Sequence, residues 1–95
     1  METDEVGRQV ARVPGRRVRR RRHFIDLPQE ALAERAGIHR TQISLLEKGE
    51  RMPLTVTLIK LAAALEVSVG QLLAGIKWDV DGPRSADREE GDRDG

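Results

Sequence analysis

The chain has 95 residues, 38% of them hydrophobic, and its only aromatic side chains are Phe24 and Trp78. This length fits one domain, since domains typically hold roughly 100–150 residues. A small core of Leu, Ile, Val and Ala leaves no room for a deep substrate pocket of the usual ~300–1,000 Å³. The absence of cysteine excludes a disulfide framework, a thiolate nucleophile and a cysteine-based zinc site.

The formal net charge of +1 is a cancellation between two segments. Residues 1–77 carry fourteen basic and nine acidic residues, a formal +5, whereas residues 78–95 carry three and seven, a formal −4. Eight arginines and no acidic residue lie between Arg8 and Arg22. The sequence has neither a signal-peptide core nor the ~20 apolar residues of a membrane span, so we expect a cytoplasmic protein with no membrane partner.

The N-terminal elements are predicted from turn residues and apolar spacing. Pro14 and Gly15 should interrupt any helix begun upstream, so residues 1–14 are predicted to be a flexible N-terminal arm. A first helix is expected over residues 15–24. Pro28 suits the first turn of a second helix, which Gly37 should end as a C-terminal cap.

Three more helices are predicted downstream. A third should end at Gly49, and a fourth carries an apolar stripe at helical spacing. Ser68 is expected to cap a short last helix that runs to Gly75. The predicted inward side chains of the second to fifth helices are Leu32, Ala33, Ala36, Ile43, Leu46, Leu58, Leu61, Ala62, Leu65, Leu72, Leu73 and Ile76. Residues 79–95 hold too few apolar side chains to offset chain entropy and are predicted to be a disordered acidic tail. The folded domain is therefore expected over residues 15–78, and its class is all-α.

The second and third helices, predicted over 29–36 and 40–48, are joined by a short turn containing Gly37. This is the helix-turn-helix arrangement, whose second helix enters the DNA major groove. The strongest sequence signal lies in four segments: QEALAERAGI (29–38), TQIS (41–44), EKGER (47–51) and TLIKLAAALEVS (57–68). Over residues 15–76 the chain resembles the lambda-repressor/Cro-type (XRE) helix-turn-helix family. That resemblance implies a five-helix lambda-repressor-like domain and a sequence-specific regulator of transcription that binds double-stranded DNA.

The resemblance also implies which residues meet the DNA. Gln29, at the first position of the second helix, would contact the backbone and support the recognition helix, while Glu47 would tie that helix to a nearby arginine or to the backbone. Positions 40, 41, 44 and 45 share one helix face, and an arginine can bond a guanine with two hydrogen bonds. The predicted base contacts are Arg40, Thr41, Ser44 and Leu45. The predicted DNA backbone contacts are Gln29, Gln42, Lys48, Arg51, Arg16, Arg17, Arg19 and Arg20.

The sequence departs from the family pattern in four places. Leu45 stands where a long polar residue is common, and Pro28 replaces the usual serine cap. Arg21 lies where the first helix usually has an apolar core residue, although Arg22 or Phe24 could shift the register of that helix. At the start of the fourth helix, Leu54 and Thr55 have the reverse of the apolar and polar order that is usual in the family.

Other functions have less support in the sequence. His23 and His39 lack further ligands at metal-binding spacing, and Ser44 lacks a histidine base, so we predict neither an enzyme nor a cofactor or small-molecule substrate. The alternative function is a protein-interaction module, such as an antitoxin or an accessory regulator with the same fold. A homodimer could use residues 69–76 and Trp78. The acidic tail could be a solubilising extension, or it could compete with DNA for the arginine-rich segment.

Overall fold

The computed structural model describes the backbone of residues 5–77 and the side chains of residues 10–77. It contains five helices and, within these residues, no strand: α1 (Glu5–Phe24), α2 (Gln29–Ala36), α3 (Arg40–Glu47), α4 (Thr55–Leu65) and α5 (Val69–Leu73). The predicted all-α, five-helix class is confirmed. None of the described helices is both long and apolar enough to pass through a bilayer. The predicted acidic tail, residues 79–95, and Trp78 lie outside the described residues.

The core forms where α1 packs against α3, α4 and α5, and α2 packs against α3 and α4. Its fully buried aliphatic side chains come from all five helices: Val18, Leu32, Ile43, Leu61, Leu65 and Leu72. The inward residues predicted for α2, α3 and α4 are all buried. In the last segment, Leu72 is buried but Leu73 and Ile76 are only partly covered, because α5 ends after five residues.

The predicted start of the first helix is wrong. Helix α1 begins at Glu5 and runs through Pro14 without a break, so most of the predicted arm is helical. Ala11, Pro14 and Val18 lie on one face of α1 and are all buried, and this packing stabilises a helix that a proline alone would interrupt. The rest of the predicted arm, residues 1–4, lies outside the described residues.

Gly15 also contributes to the position of α1. A Cβ atom at this residue would overlap the carbonyl oxygen of Leu46 in α3. The missing side chain therefore allows the two helix backbones to approach each other closely. The residue that was expected to break α1 instead determines how closely α1 packs on α3.

Two of the predicted caps agree with the structure, whereas α3 and α5 end one and two residues before their predicted ends. Gly37 follows α2 in the left-handed region at φ 73°, as expected of a glycine C-terminal cap. Ser68 forms a capping box with Gln71, in which the backbone N–H of Gln71 donates to the Ser68 hydroxyl and the Ser68 N–H donates to the Gln71 side chain. The Gly37 cap places α2 and α3 on either side of a three-residue turn, residues 37–39.

Candidate nucleic-acid interface

The four predicted base-contacting residues lie together on the outer face of α3. Arg40 and Thr41 are exposed at its N-terminus, and Ser44 and Leu45 are partly exposed one turn later. The opposite side of α3 is anchored in the core. The structure therefore brings these four side chains to one surface, and their contact with DNA stays a prediction.

A buried network connects α1, α2 and α3 behind this surface. Arg22 of α1 donates from Nε to Glu47 Oε2 at 2.7 Å and from Nη2 to Glu47 Oε1 at 2.9 Å. Its Nη1 donates to the carbonyl oxygen of Leu27 at 2.9 Å. Gln29 Nε2 also donates to Glu47 Oε1, at 3.0 Å. Such a two-point arginine–carboxylate pair fixes the orientation of both side chains, so the C-terminal end of α3 is held against α1 and the start of α2.

The same network reaches the exposed face through Gln29. With its amide nitrogen bonded to Glu47, its amide oxygen accepts a hydrogen bond from Arg40 Nη1 at 3.4 Å. Because the Glu47 carboxylate can only accept, the amide of Gln29 must present its NH₂ group inward and its oxygen outward. The predicted support that Gln29 and Glu47 give to the recognition helix therefore has a direct structural form.

The structure also decides the register of α1. The buried residue is Arg22, which is only 7% exposed, and its charge is balanced by Glu47. Arg21 does not occupy a core position: its Nε donates to the carbonyl oxygen of Leu65 at 2.9 Å, and its guanidinium lies over the ring of Phe24. The expectation that Arg21 replaces an apolar core residue is wrong, and the shifted register with Arg22 inward is the observed one.

Three helix N-termini have backbone N–H groups available for an anion. Within the described residues, the N-terminal caps of α2, α3 and α4, namely Pro28, His39 and Leu54, make no side-chain hydrogen bond to the first turn. Of the four helices whose N-terminal caps are described, α2 to α5, the short helix α5 alone has a side-chain cap. Uncapped N–H groups at a helix N-terminus can donate to phosphate oxygens, and the helix dipole favours a negative charge there.

The arginines of α1 divide between two flanks of the helix. At about 100° per residue, Arg19 and Arg17 point to opposite flanks of α1, while Arg16 and Arg20 lie between them, Arg16 nearer to Arg19 and Arg20 nearer to Arg17. Arg17 is partly buried, and its Nη1 lies 3.3 Å from the carbonyl oxygens of Gln71 and Leu72 in α5. The structure therefore places Arg17 and Arg20 beside α5 and does not bring them next to the recognition helix.

The other flank includes an arginine that the sequence analysis missed. Arg12 is exposed and lies one turn before Arg16. It also packs against the turn that ends α3, because a Cβ on Gly49 would lie 3.1 Å from Arg12 Cα. This residue was assigned to a flexible arm, so its helical spacing from Arg16 and Arg19 was not considered. We add Arg12 to the candidate backbone contacts.

The remaining predicted backbone contacts are exposed around α3. Gln42 is exposed in the first half of the helix, Lys48 is its C-terminal cap, and Arg51 lies in the turn that follows. Gln42 and Arg51 line the same shallow cavity of about 240 Å³, between α3 and the start of α4. Cations and an amide placed here can bond phosphate oxygens on either side of a groove.

The arrangement is suited to binding. It combines hydrogen-bonding side chains on an exposed helix with neighbouring cations and uncapped helix ends. Among residues 10–77, no three His, Asp or Glu side chains are grouped so as to hold a metal ion. The described surface therefore offers groups for phosphates and base edges.

Comparison with known proteins agrees with this geometry. A family model described as helix-turn-helix matches residues 25–72. The chain is 50% identical over 56 residues to the control protein C.SmaI of Serratia marcescens, and these residues make up 59% of this chain and 67% of C.SmaI. Two solved structures superpose with a TM-score of 0.63 and 34% identity each. The match to the restriction-modification controller C.AhdI from Aeromonas hydrophila spans 65% of this chain and 94% of the C.AhdI chain. The match to the P22 c2 repressor bound to a synthetic operator spans 67% of this chain and 97% of the repressor chain. The chain therefore belongs to the helix-turn-helix family, in its lambda-repressor/Cro (XRE) type.

Proposed function

We propose that this protein is a sequence-specific regulator of transcription that binds double-stranded DNA through α3 in the major groove. The observation that carries the proposal is the exposed Arg40–Leu45 face, which the Arg22–Glu47–Gln29 network supports from behind. The similar P22 c2 repressor was solved on an operator, and C.AhdI is a controller protein. The role is one of binding, and no enzymatic activity is proposed.

Affinity for the DNA backbone comes from the cations and helix ends around α3. Lys48, Arg51 and the α1 arginines of the other flank, Arg12, Arg16 and Arg19, neutralise phosphates and release condensed counterions. The logarithm of the association constant then falls with the logarithm of the salt concentration by roughly 0.9 per phosphate neutralised. These contacts set the register of the protein on the duplex and carry no sequence information themselves.

Sequence preference comes from the face of α3. Arg40 offers two parallel N–H donors to the O6 and N7 atoms of a guanine, and Thr41 can bond a base edge or pack on a thymine methyl group. Gln29 already contacts Arg40, so it limits the positions that this guanidinium can adopt. Ser44 and Leu45 read the neighbouring base pairs.

Selection of bound sequences from a random duplex library, at two salt concentrations, tests this function. We expect one enriched motif that persists at the higher salt. Arg40→Ala should weaken binding to that motif by about 1–3 kcal/mol and relax the preference at one base pair. The charge-matched control is Lys60→Ala, which removes an exposed cation on the outer side of α4 and should leave the motif unchanged.

Two results would contradict the assignment. If no motif is enriched, α3 does not read sequence. If Arg40→Ala weakens every duplex to the same extent, Arg40 contacts a phosphate rather than a base.

Two further parts of the proposal follow from a DNA partner. The protein acts in the cytoplasm, at the nucleoid, where its ligand is. It binds as a homodimer to two half-sites about one helical turn apart, with the partly covered residues Leu73 and Ile76 as candidate contacts between the copies. Sedimentation of the protein alone and with the selected duplex measures the number of copies.

One observation favours the alternative function, a protein-interaction module. Leu54, Val56 and Ile59, at the start of α4, are all more than half exposed. Exposed apolar side chains that are close together commonly mark a protein-binding surface. A stable protein partner that copurifies with the chain, together with an unenriched duplex library, would support this alternative.

A further inference from the structure

A groove between α1 and α5 is not used by the proposed DNA contacts of α3. It has a volume of about 430 Å³ and is formed by α1, by α5 and by Val67 in the turn before α5. Its floor includes Leu72, and Phe24 lies at one side with 76% of its surface exposed. No residue of α2 or α3 lines it. An occupant of this groove would therefore leave the recognition helix open.

The groove carries a concentrated positive charge. Arg17, Arg20 and Arg21 all line it, and each lies within about one turn of the others. Among the side chains of residues 10–77, the hydrogen bonds of Arg17 and Arg21 go to backbone carbonyl oxygens, which do not neutralise a charge. Within residues 10–77, the α1 arginine that pairs with a carboxylate is Arg22, on the buried side of the helix. The groove is thus suited to an acidic ligand.

The described chain ends beside this groove. Gly75, Ile76 and Lys77 line a neighbouring cavity of about 320 Å³ together with Val10, Val13 and Arg17 of α1. Arg17 lines both cavities. Lys77, the last described residue, therefore lies near the Arg17 end of the arginine-lined groove.

We propose that the acidic segment of this chain, residues 79–95, docks in the groove between α1 and α5. The segment has seven carboxylates and three arginines, a formal charge of −4 that is opposite to the charge of the three groove arginines, and its first two carboxylates, Asp79 and Asp81, come two and four residues after Lys77. Four extended residues span about 13 Å, whereas Arg17 and Phe24, seven positions apart, are separated by only about 10 Å along the axis of α1. The segment is long enough to follow the whole groove.

Docking has a consequence for the charge of the molecule. It neutralises the flank of α1 that faces α5 and leaves Arg12, Arg16 and Arg19 on the other flank. The acidic segment then lowers the general attraction of the domain for polyanions without covering α3. This differs from direct competition for the recognition surface, and it does not depend on whether the protein regulates transcription.

A spin label in the acidic segment tests the docking in the full-length chain. The sequence contains no cysteine, so Ser85→Cys provides a single attachment site for a nitroxide. We expect the amide signals of Arg20, Phe24 and Gln71 to lose intensity in NMR spectra, while those of Glu34 and Arg40 do not. The loss should diminish at high salt, because screening weakens exposed charge pairs.

Two matched variants separate the two flanks of α1. Both Arg19 and Arg20 are exposed and point about 100° apart around α1, and each is changed to glutamine in the labelled protein. Arg20→Gln should reduce the loss of intensity at the groove, and Arg19→Gln should leave it unchanged. Equal effects of the two variants would show attraction to the overall charge of α1 and would overturn the groove as the docking site.

The pattern of signal loss gives the remaining outcomes. Loss centred on α3 would place the acidic segment on the recognition surface, and uniform or absent loss would exclude docking; either result overturns the proposal. A mixture of spin-labelled chains and isotope-labelled chains without a spin label identifies docking between copies. If the groove signals lose as much intensity in that mixture as in the doubly labelled chain, the segment docks between copies, and docking within one chain is overturned.

Discussion

Glu47 connects the recognition helix to α1 and α2. Its two carboxylate oxygens accept three hydrogen bonds, two from Arg22 and one from Gln29. The Arg22–Glu47 pair is almost fully enclosed, with 9% and 4% of the two side chains exposed. Removing one partner of such a pair leaves the other as a buried, uncompensated charge, which costs more than the pair itself contributes.

We therefore expect Glu47→Ala to lower the free energy of unfolding by about 3–5 kcal/mol. The matched control is Glu34→Ala, which removes an exposed carboxylate on α2 and should change stability by less than about 0.5 kcal/mol. Urea unfolding curves measure both values. The combined variant Arg22→Met/Glu47→Leu should recover most of the loss, because it removes both charges. Equal, small losses in the two single variants would contradict this account.

The sequence allowed two residues of this network to be predicted, but not which arginine of α1 joins them. Gln29 and Glu47 were assigned to the support of the recognition helix from the resemblance alone. Which of Arg21 and Arg22 points inward depends on the rotational position of α1. That position is determined by the packing of Ala11 and Pro14, residues that the sequence analysis had assigned to an arm.

At the scale of elements, helices α2 to α5 were predicted from apolar spacing and from the turn residues between them, and the Ser68 cap of α5 was predicted as well. Helix α1 differs because its local signals, Pro14 and Gly15, oppose a helix that its packing on α3 stabilises. Local propensity is a weak guide when tertiary contacts oppose it, and a single sequence does not show those contacts.

Replacing Gly15, at the close contact between α1 and α3, and Gly70, in α5, by alanine should change the stability of the protein in opposite directions. Gly15→Ala would place a methyl group on the carbonyl oxygen of Leu46, and we expect a loss of about 1–3 kcal/mol as the helices move apart. Gly70→Ala, in α5, meets only the Ser68 hydroxyl at an ordinary 3.6 Å and should stabilise the protein by up to about 1 kcal/mol. Thermal unfolding compares the two. A stabilising Gly15→Ala would show that α1 does not approach α3 as closely as the structure indicates.

At the scale of the whole molecule, the arrangement of charge matters more than its sum. We propose that the recognition face, the uncapped helix ends and Arg12, Arg16 and Arg19 form one binding surface, and the groove beside α5 lies on another flank of α1. A small core is sufficient for such a domain, because the proposed function needs an exposed helix face and no enclosed substrate site. The near-neutral total of +1 therefore gives no measure of how strongly the domain attracts DNA.

The acidic segment can be tested as a moderator of this attraction. Neutralising four of its carboxylates with Asp87→Asn, Glu89→Gln, Glu90→Gln and Asp92→Asn raises the formal net charge from +1 by four. We expect binding to random duplex at low salt to tighten about fivefold, or roughly 1 kcal/mol, and the difference to vanish at high salt.

The reverse change provides the control for this experiment. Arg88→Gln with Arg93→Gln makes the same segment more acidic and should weaken binding to random duplex. Because the groove excludes α2 and α3, neither variant should alter the order of preference among selected sequences. If both variants bind random duplex as the unaltered chain does, the acidic segment does not moderate DNA binding. If they change the order of preference, the segment acts at α3, where the docking proposal does not place it.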